Sequence, residues 1–265
     1  VKSFEKIGWY SFMENILQNG VKLITIGLFI LIGLKVIAII FFDLIDKLIH
    51  QKRILRYLKK NKINITSYFD IGSHKGSYFD LINYNFRINK AILIEPQKNI
   101  FNIIKKKYLR NKKIKIYNFA ISDKNGTQIL HVNKHDLTTS LTKINKKNRY
   151  LSLKAKLFGG SINEMILSKN KVYTVKLQKL IKKNKIQKID LLKIDTEGHE
   201  LQVLRGAGSS LKNKVRYILI EFHNSNIFLK YDARKIHKHL TNNNFKLKRT
   251  FRFPFTTWED RIYQN

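Results

Sequence analysis

Asp70, Gly72 and Gly76 carry the first chemical signal in this chain of 265 residues. They stand in the segment SYFDIGSHKG at 67–76, where Tyr68, Phe69 and Ile71 suit a buried strand and the two glycines precede a run of helical spacing. A glycine turn at the end of a parallel strand lets the backbone approach a ligand, and helix N–H groups point into the same crevice. A dinucleotide site requires Gly-x-Gly-x-x-Gly around a pyrophosphate. Here the spacing is Asp-x-Gly-x-x-x-Gly, with an acid inside the strand. An acid suits a cationic amino acid better than a pyrophosphate, so the turn reads as the holder of a nucleotide-like ligand with an amino-acid portion.

A second cluster lies in IDLLKIDTEGHE at 189–200, where Asp195, Glu197, Gly198 and Glu200 crowd the exit of an apolar strand that contains Lys193. Uncompensated buried charge is costly, so this density of acids reads as a catalytic floor, with an acidic helix N-terminus as the plainer alternative. Glu95 ends a short apolar strand at 91–94, just before Pro96 and nineteen positions beyond Gly76. That is where a carboxylate grips a ribose hydroxyl pair, although an acid there also favours the dipole of a following helix. Ser122 and Asp123 close a third strand and are placed either to meet an adenine amino group or to form a turn with Asn125 and Gly126. His223, after the strand 217–222, suits proton transfer near neutral pH or a structural hydrogen bond.

Positioning these groups at one edge requires a particular scaffold. Strand-like runs at 67–71, 91–94, 114–119, 191–194 and 217–222 alternate with helical runs at 77–86, 99–109, 201–211 and 232–240. This alternation predicts an α/β fold, a Rossmann-like, mostly parallel sheet flanked by helices. A closing pair at 245–251 and 258–263 completes a seven-stranded sheet. Two further short strands, 127–132 and 172–177, bracket a lysine-rich insertion with His135, Asp136, Thr138, Thr139 and Ser140, expected to be a lid, an acceptor site or a plain loop. Residues 43–60 are amphipathic, with Leu44, Ile45, Leu48, Ile49, Leu55 and Leu58 on one face; such a segment lies on a membrane surface or covers the sheet as its first helix.

Composition narrows the chemistry. The absence of cysteine excludes disulfides, thiolate metal sites and cysteine nucleophiles. The formal net charge of +34 invites a polyanionic partner, but the lysines are spread through nearly every segment alongside many Ile and Asn, so nucleic-acid binding is not the expectation. An apolar run at 23–42, broken only by Lys35, matches the thickness of a bilayer core. Residues 1–50 are therefore expected to form a membrane-anchor region with an N-terminal hydrophobic helix, and 51–265 a catalytic domain. The basic flank that includes Lys47, Lys52, Arg53, Arg56, Lys59, Lys60 and Lys62 keeps that domain on the cytoplasmic side.

Asp70-x-Gly72-x-x-x-Gly76 resembles the motif of class I S-adenosylmethionine (SAM) dependent methyltransferases. Taken in order, DIGSHKG, LIEP, AISD, IDLLKIDTEGHELQVLRGA and IEFH resemble the FkbM-type methyltransferases over roughly 64–251. The resemblance implies that Asp70, Gly72 and Gly76 hold the methionine part of SAM, Glu95 the ribose, and Ser122 with Asp123 the adenine. It places Asp195, Glu197 and His223 beside the transferred methyl. Gln178 stands where the family often carries Asp, which puts acceptor specificity in question. The expected reaction is O-methylation of a hydroxyl on a sugar, lipid-linked glycan or secondary metabolite, with His223 or Asp195 as base. A divalent ion on Asp195, Glu197 and His223 is chemically open, but the site is read without a metal. Ribose 2'-O-methylation of RNA and a non-catalytic nucleotide-binding or partner-binding domain are the rival readings. The missing third glycine disfavours a dehydrogenase.

Overall fold

The computed structural model describes residues 45–133, 139–149, 151–152, 166–254 and 257–265. The apolar run at 23–42 lies outside them, as do His135, Asp136 and Thr138. The chain divides into two compact units, 1–52 and 53–265. In the first, the described part is Ile45 and a π-helical turn, Asp46–His50, followed by the start of α1, Gln51–Lys60. Among the described residues no helix is long and apolar enough to cross a membrane, so the expected spanning helix has no support there.

The second unit is built on a seven-stranded sheet. Its strands are β1 (Ser67–Ile71), β2 (Lys90–Ile94), β3 (Ile114–Tyr117), β7 (Ile189–Ile194), β8 (Val215–His223), β9 (Lys246–Arg252) and β10 (Trp258–Gln264), in the spatial order β3-β2-β1-β7-β8-β10-β9. Strands β3, β2, β1, β7 and β8 are mutually parallel, and β10 runs antiparallel to both β8 and β9. The order reverses between β1 and β7, which opens a crevice at their carboxyl ends.

Alternation along each strand feeds two cores, because successive side chains leave opposite faces. Phe69, Ile71, Ile92, Ile94, Leu192, Ile194 and Ile220 face one cluster, covered by α4 (Leu177–Lys183), α5 (Glu200–Ala207), α6 (Ser209–Lys214) and α7 (Ala233–Asn242). Tyr68, Ala91, Leu93, Leu191 and Leu219 face the other, covered by α1 and α2 (Ser77–Asn85). Helix α3 (Lys98–Lys107) buries Ile100 and Ile104. Burial on both faces is why the parallel strands read as continuous apolar runs.

Within 43–60, the part of α1 from Ile54 onward covers the sheet. Ile54, Leu55 and Leu58 are buried against the sheet, whereas Ile49 is 47% exposed and does not join the apolar face expected of it. Two other boundaries differ from expectation. The strand expected at 172–177 ends at Val175, and Leu177 opens α4 with Leu177, Leu180 and Ile181 buried at helical spacing. The single helix expected at 201–211 is two, because Gly208, at φ 51° and ψ −140°, leaves the helical region. A second sheet, β4 (Ala120–Ile121), β6 (Ile166–Val175) and β5 (Gly126–Asn133) in the order β4-β6-β5, was not anticipated as a separate layer. The two residues of β4 are too short a run to show periodicity.

Asp190 ties the start of β7 to the chain entering β1. It accepts hydrogen bonds from Thr66 N at 2.9 Å, Thr66 Oγ1 at 2.7 Å and Ser67 N at 3.1 Å, and pairs with Lys188 at 2.8 Å. Asp190→Ala strands two backbone donors and is expected to lower stability by roughly 2–4 kcal/mol, read by chemical denaturation; a loss below about 0.5 kcal/mol would show that water replaces the carboxylate.

Candidate active site

Register places the chemical groups at one level. Ile71 pairs with Ile94 on one side and Ile194 on the other, and Ile194 pairs with Ile220. Gly72, Glu95, Asp195 and Glu221 therefore follow directly, each at the carboxyl edge of its strand.

The turn after β1 is shaped by close backbone approach. Gly72 has φ +85°, and a Cβ there would lie 1.8 Å from the Asp195 carbonyl oxygen. Gly72 N and Ser73 N donate to the Ile94 carbonyl, and Asp195 N donates to that of Ile71. Gly76, at φ +74°, is the N-cap of α2, and Tyr108 donates from its hydroxyl to the Gly76 carbonyl at 2.9 Å. Glu95 is buried; its carboxylate accepts from His74 N at 3.0 Å and Gln97 N at 2.8 Å, which binds the glycine turn to the exit of β2.

Asp70 is fully buried, within the β1 strand rather than on the crevice wall. It accepts from the Tyr68 hydroxyl at 3.0 Å, and its Oδ1 lies 3.8 Å from Lys193 Nζ. Burial lifts its carboxyl to about 6, against the pull of Lys193 and Tyr68. Lys193 occupies the paired position on β7 and donates to Asp195 at 2.8 Å, with Nζ 4.9 Å from the centre of the Tyr78 ring. Burial alone would lower the Lys193 ammonium, but Asp195 and Asp70 outweigh it and hold it charged. Burial also works against the Asp195 anion, yet Lys193 and a hydrogen bond from Glu221 keep Asp195 below the ordinary carboxylate range. Asp195 keeps 38% of its side chain exposed to the crevice.

Asp195 and Glu197 come together with His223 as expected, and Glu221 joins them. His223 Nε2 lies 3.4 Å from Glu221 and 3.8 Å from Glu197. The imidazole is capped by Phe228 and Tyr231, with ring centres 5.0 and 5.5 Å away, and His223 N donates to the Tyr231 hydroxyl at 2.9 Å. Burial pushes the His223 imidazole down to about 4 and the Glu221 carboxyl well above its usual range, the latter with help from Asp195 and Glu197. His223 is thus neutral at pH 7, and the hydrogen bond between Glu221 and Asp195 favours the proton on Glu221. Glu221 was passed over in the sequence, although its i, i+2 spacing from His223 puts both on one face of β8.

Glu200, the third acid of its cluster, is structural. Its buried Oε1 accepts from Thr196 N, Thr196 Oγ1 and Gly198 N at 3.1, 3.1 and 3.0 Å, and burial lifts its carboxyl to about 7. Ser122 is equally committed within the protein: its hydroxyl meets His199 Nε2 at 3.0 Å, Gln128 Nε2 at 3.0 Å and Asp123 at 3.2 Å. Asp123, half-buried, is the group at that edge able to accept from an amino group. Gln178 donates to Ser209 at 3.1 Å.

The insertion is anchored on the loop between β7 and α5. Ser140 donates to the Thr196 carbonyl at 3.2 Å, Thr142 donates to that of Gly198 at 3.0 Å, and Ile144 bridges to Phe228. Thr139 contacts β5 through Asn133 N, which donates to its hydroxyl at 3.3 Å.

The crevice suits SAM on two observations: a glycine cradle that a Cβ would fill, and a buried carboxylate at the exit of β2. The turn at 72–76 would hold the methionine part, Glu95 the ribose and Asp123 the adenine. A direct contact from Asp70 would require its burial to be relieved.

The methyltransferase FkbM domain matches residues 70–247, more than half of the chain. A solved structure similar to this one is the methyltransferase FkbM from Methylobacillus flagellatus KT, at 13% identity and a TM-score of 0.47, covering 76% of this chain and 44% of that one. The chain thus spans less than half the length of that protein. Fibrillarin from Aeropyrum pernix, crystallised with natively bound S-adenosyl-L-methionine, is similar at 9% identity and a TM-score of 0.43, covering 76% and 67% of the two chains. Magnesium protoporphyrin IX methyltransferase from Synechocystis PCC 6803, also with bound SAM, is similar at 11% and 0.43, covering 80% and 76%. A comparison with curated proteins found no match. The matched span, residues 70–247, takes in the residues that build the crevice, and the chain belongs to the methyltransferase FkbM domain family.

Proposed function

We propose that this SAM-dependent methyltransferase methylates a hydroxyl on a sugar, lipid-linked glycan or secondary metabolite. The observation that carries the reading is the exposed, ionised Asp195 beside the glycine turn, fixed by Lys193 at 2.8 Å. SAM, when bound, supplies a methyl group on a positively charged sulfur. The protein's own share is alignment and proton removal.

Asp195 is the better of the two candidate bases. His223 is sealed beneath Phe228 and Tyr231, whereas Asp195 reaches the crevice and stays ionised through neutral pH. Glu221 donates to Asp195 and orients it, leaving its remaining lone pairs to receive the acceptor proton. An acceptor nitrogen needs no carboxylate base of this kind once neutral. The isolated Pro96 and Pro254 also lack the Pro-Pro pair of exocyclic-amine enzymes, and the chain has no cysteine for attack on a cytosine ring.

Membrane attachment through 23–42, with the catalytic unit on the cytoplasmic side, is proposed on the sequence alone: that run spans a bilayer in length and its C-terminal flank is basic. The full chain is then expected to stay in the membrane pellet after alkaline carbonate extraction, and a variant lacking 23–42 to be released. Release of the full chain by carbonate would refute the anchor.

Methyl-labelled SAM offered with hydroxyl-bearing glycans and polyketide alcohols is expected to leave label on oxygen. Label on nitrogen, or on RNA alone, would overturn the proposal. Asp195→Asn is expected to cut kcat by roughly 10²–10⁴ with SAM affinity retained. Because the Asp195 carboxyl is held low, the active anion persists on acidification. The pH profile of kcat/KM should therefore stay flat from about pH 8 down to about 5; an acid limb within that range would contradict a base held ionised by Lys193.

A further inference from the structure

Glu197 and His223 take no part in the base chemistry, and together with Glu221 they form a second constellation. We propose that these three side chains bind a divalent first-row transition cation of the Mn2+ class at the acceptor side of the crevice. The inference rests on reading this crevice as the acceptor site only for the ion's role, not for its binding.

One ligand atom from each residue lies within 4.8 Å of the other two. Around a six-coordinate ion with bonds of about 2.0–2.2 Å, neighbouring ligand atoms are about 3 Å apart. The observed 3.4 Å from His223 Nε2 to Glu221 and 3.8 Å to Glu197 need a contraction of under about 1 Å.

His223 supplies the independent sign. It is 6% exposed, and no described residue hydrogen-bonds to its Nε2, although that atom points at both carboxylates. A buried imidazole nitrogen left without a partner costs free energy. Two carboxylates at this range repel unless a proton or a cation lies between them. Glu197 reaches the cluster from a left-handed backbone, φ +53°, and is held by Gly198, whose own Cβ position is filled by Phe228. Asp195 is not a member: Lys193 occupies it, which corrects the ligand set Asp195, Glu197 and His223 considered from the sequence.

The donor set selects the ion. Imidazole suits transition metals, while carboxylates suit Mn2+ as well as Mg2+ and Ca2+; one imidazole with two carboxylates favours Mn2+ over Mg2+. Three protein ligands leave open positions toward Asp195. There the ion would bind the acceptor hydroxyl, and neighbouring oxygens if the acceptor is a diol, and make that hydroxyl easier to deprotonate.

The test is titration of the full purified chain with MnCl2 alone, following loss of the free Mn2+ signal by electron paramagnetic resonance. One site per chain is expected. Glu221→Gln and Glu197→Gln should each weaken it by about 100-fold or more, and Asp232→Asn, a surface helix cap, should leave it unchanged. Glu197→Gln, on a loop, keeps the test available should Glu221→Gln fail to fold by circular dichroism. Absence of binding at millimolar Mn2+, binding unaffected by the glutamine variants, or displacement of Mn2+ by an equal concentration of Mg2+ would each overturn the site, leaving a shared proton to hold the cluster. SAM binding measured in parallel separates the two readings, since its loss with Mn2+ binding intact would sink the methyltransferase reading alone.

Discussion

Lys193 is the interaction on which the crevice depends. A buried ammonium survives only when anions and hydrogen bonds repay its desolvation, and Lys193 has Asp70 on one strand and Asp195 at its own strand's end. The triad joins the strand whose exit forms the glycine turn to the strand whose exit carries the acids. Removing Lys193 would leave the buried Asp70 carboxylate without its cation. The arrangement therefore fixes the distance between the two halves of the site as firmly as the register of β1 on β7 does.

From this constraint the division of labour among the acids follows. Charge held by Lys193 stays ionised at Asp195, charge without such a partner is suppressed at Glu221, and charge spent on backbone donors stiffens a loop at Glu200 or a turn at Glu95. Four carboxylates of similar appearance in the sequence thus fall into three roles. What separates them is the nearest cation or N–H, which is a property of the folded chain.

The parallel sheet was legible because burial on both faces writes itself as apolar runs, and the two glycine-bearing exits were legible because a Cβ would strike the Asp195 carbonyl at Gly72 and the Phe228 ring at Gly198. Gly72, Gly76, Glu95, Asp195, Glu197 and His223 do converge on one edge, with Asp70 buried in the strand behind it. Three features lay beyond reach. Glu221 looked like an ordinary strand residue, since nothing local says that β8 lies beside β7. The burial of Asp70 depends on Tyr68 and on Lys193, 123 positions away. The second sheet rests on a two-residue strand paired across the insertion. Helix α4, by contrast, carried its own signal in Leu177, Leu180 and Ile181, obscured by the β-like residues before it.

Calorimetric titration of the chain with SAM and with NAD, alongside Glu95→Ala, tests the central claim most directly. The account predicts one SAM site per chain, no NAD binding, and a loss of about 2 kcal/mol, roughly 30-fold in affinity, when the Glu95 carboxylate is removed. A folded chain that binds NAD but not SAM, or binds SAM equally well without Glu95, would contradict it.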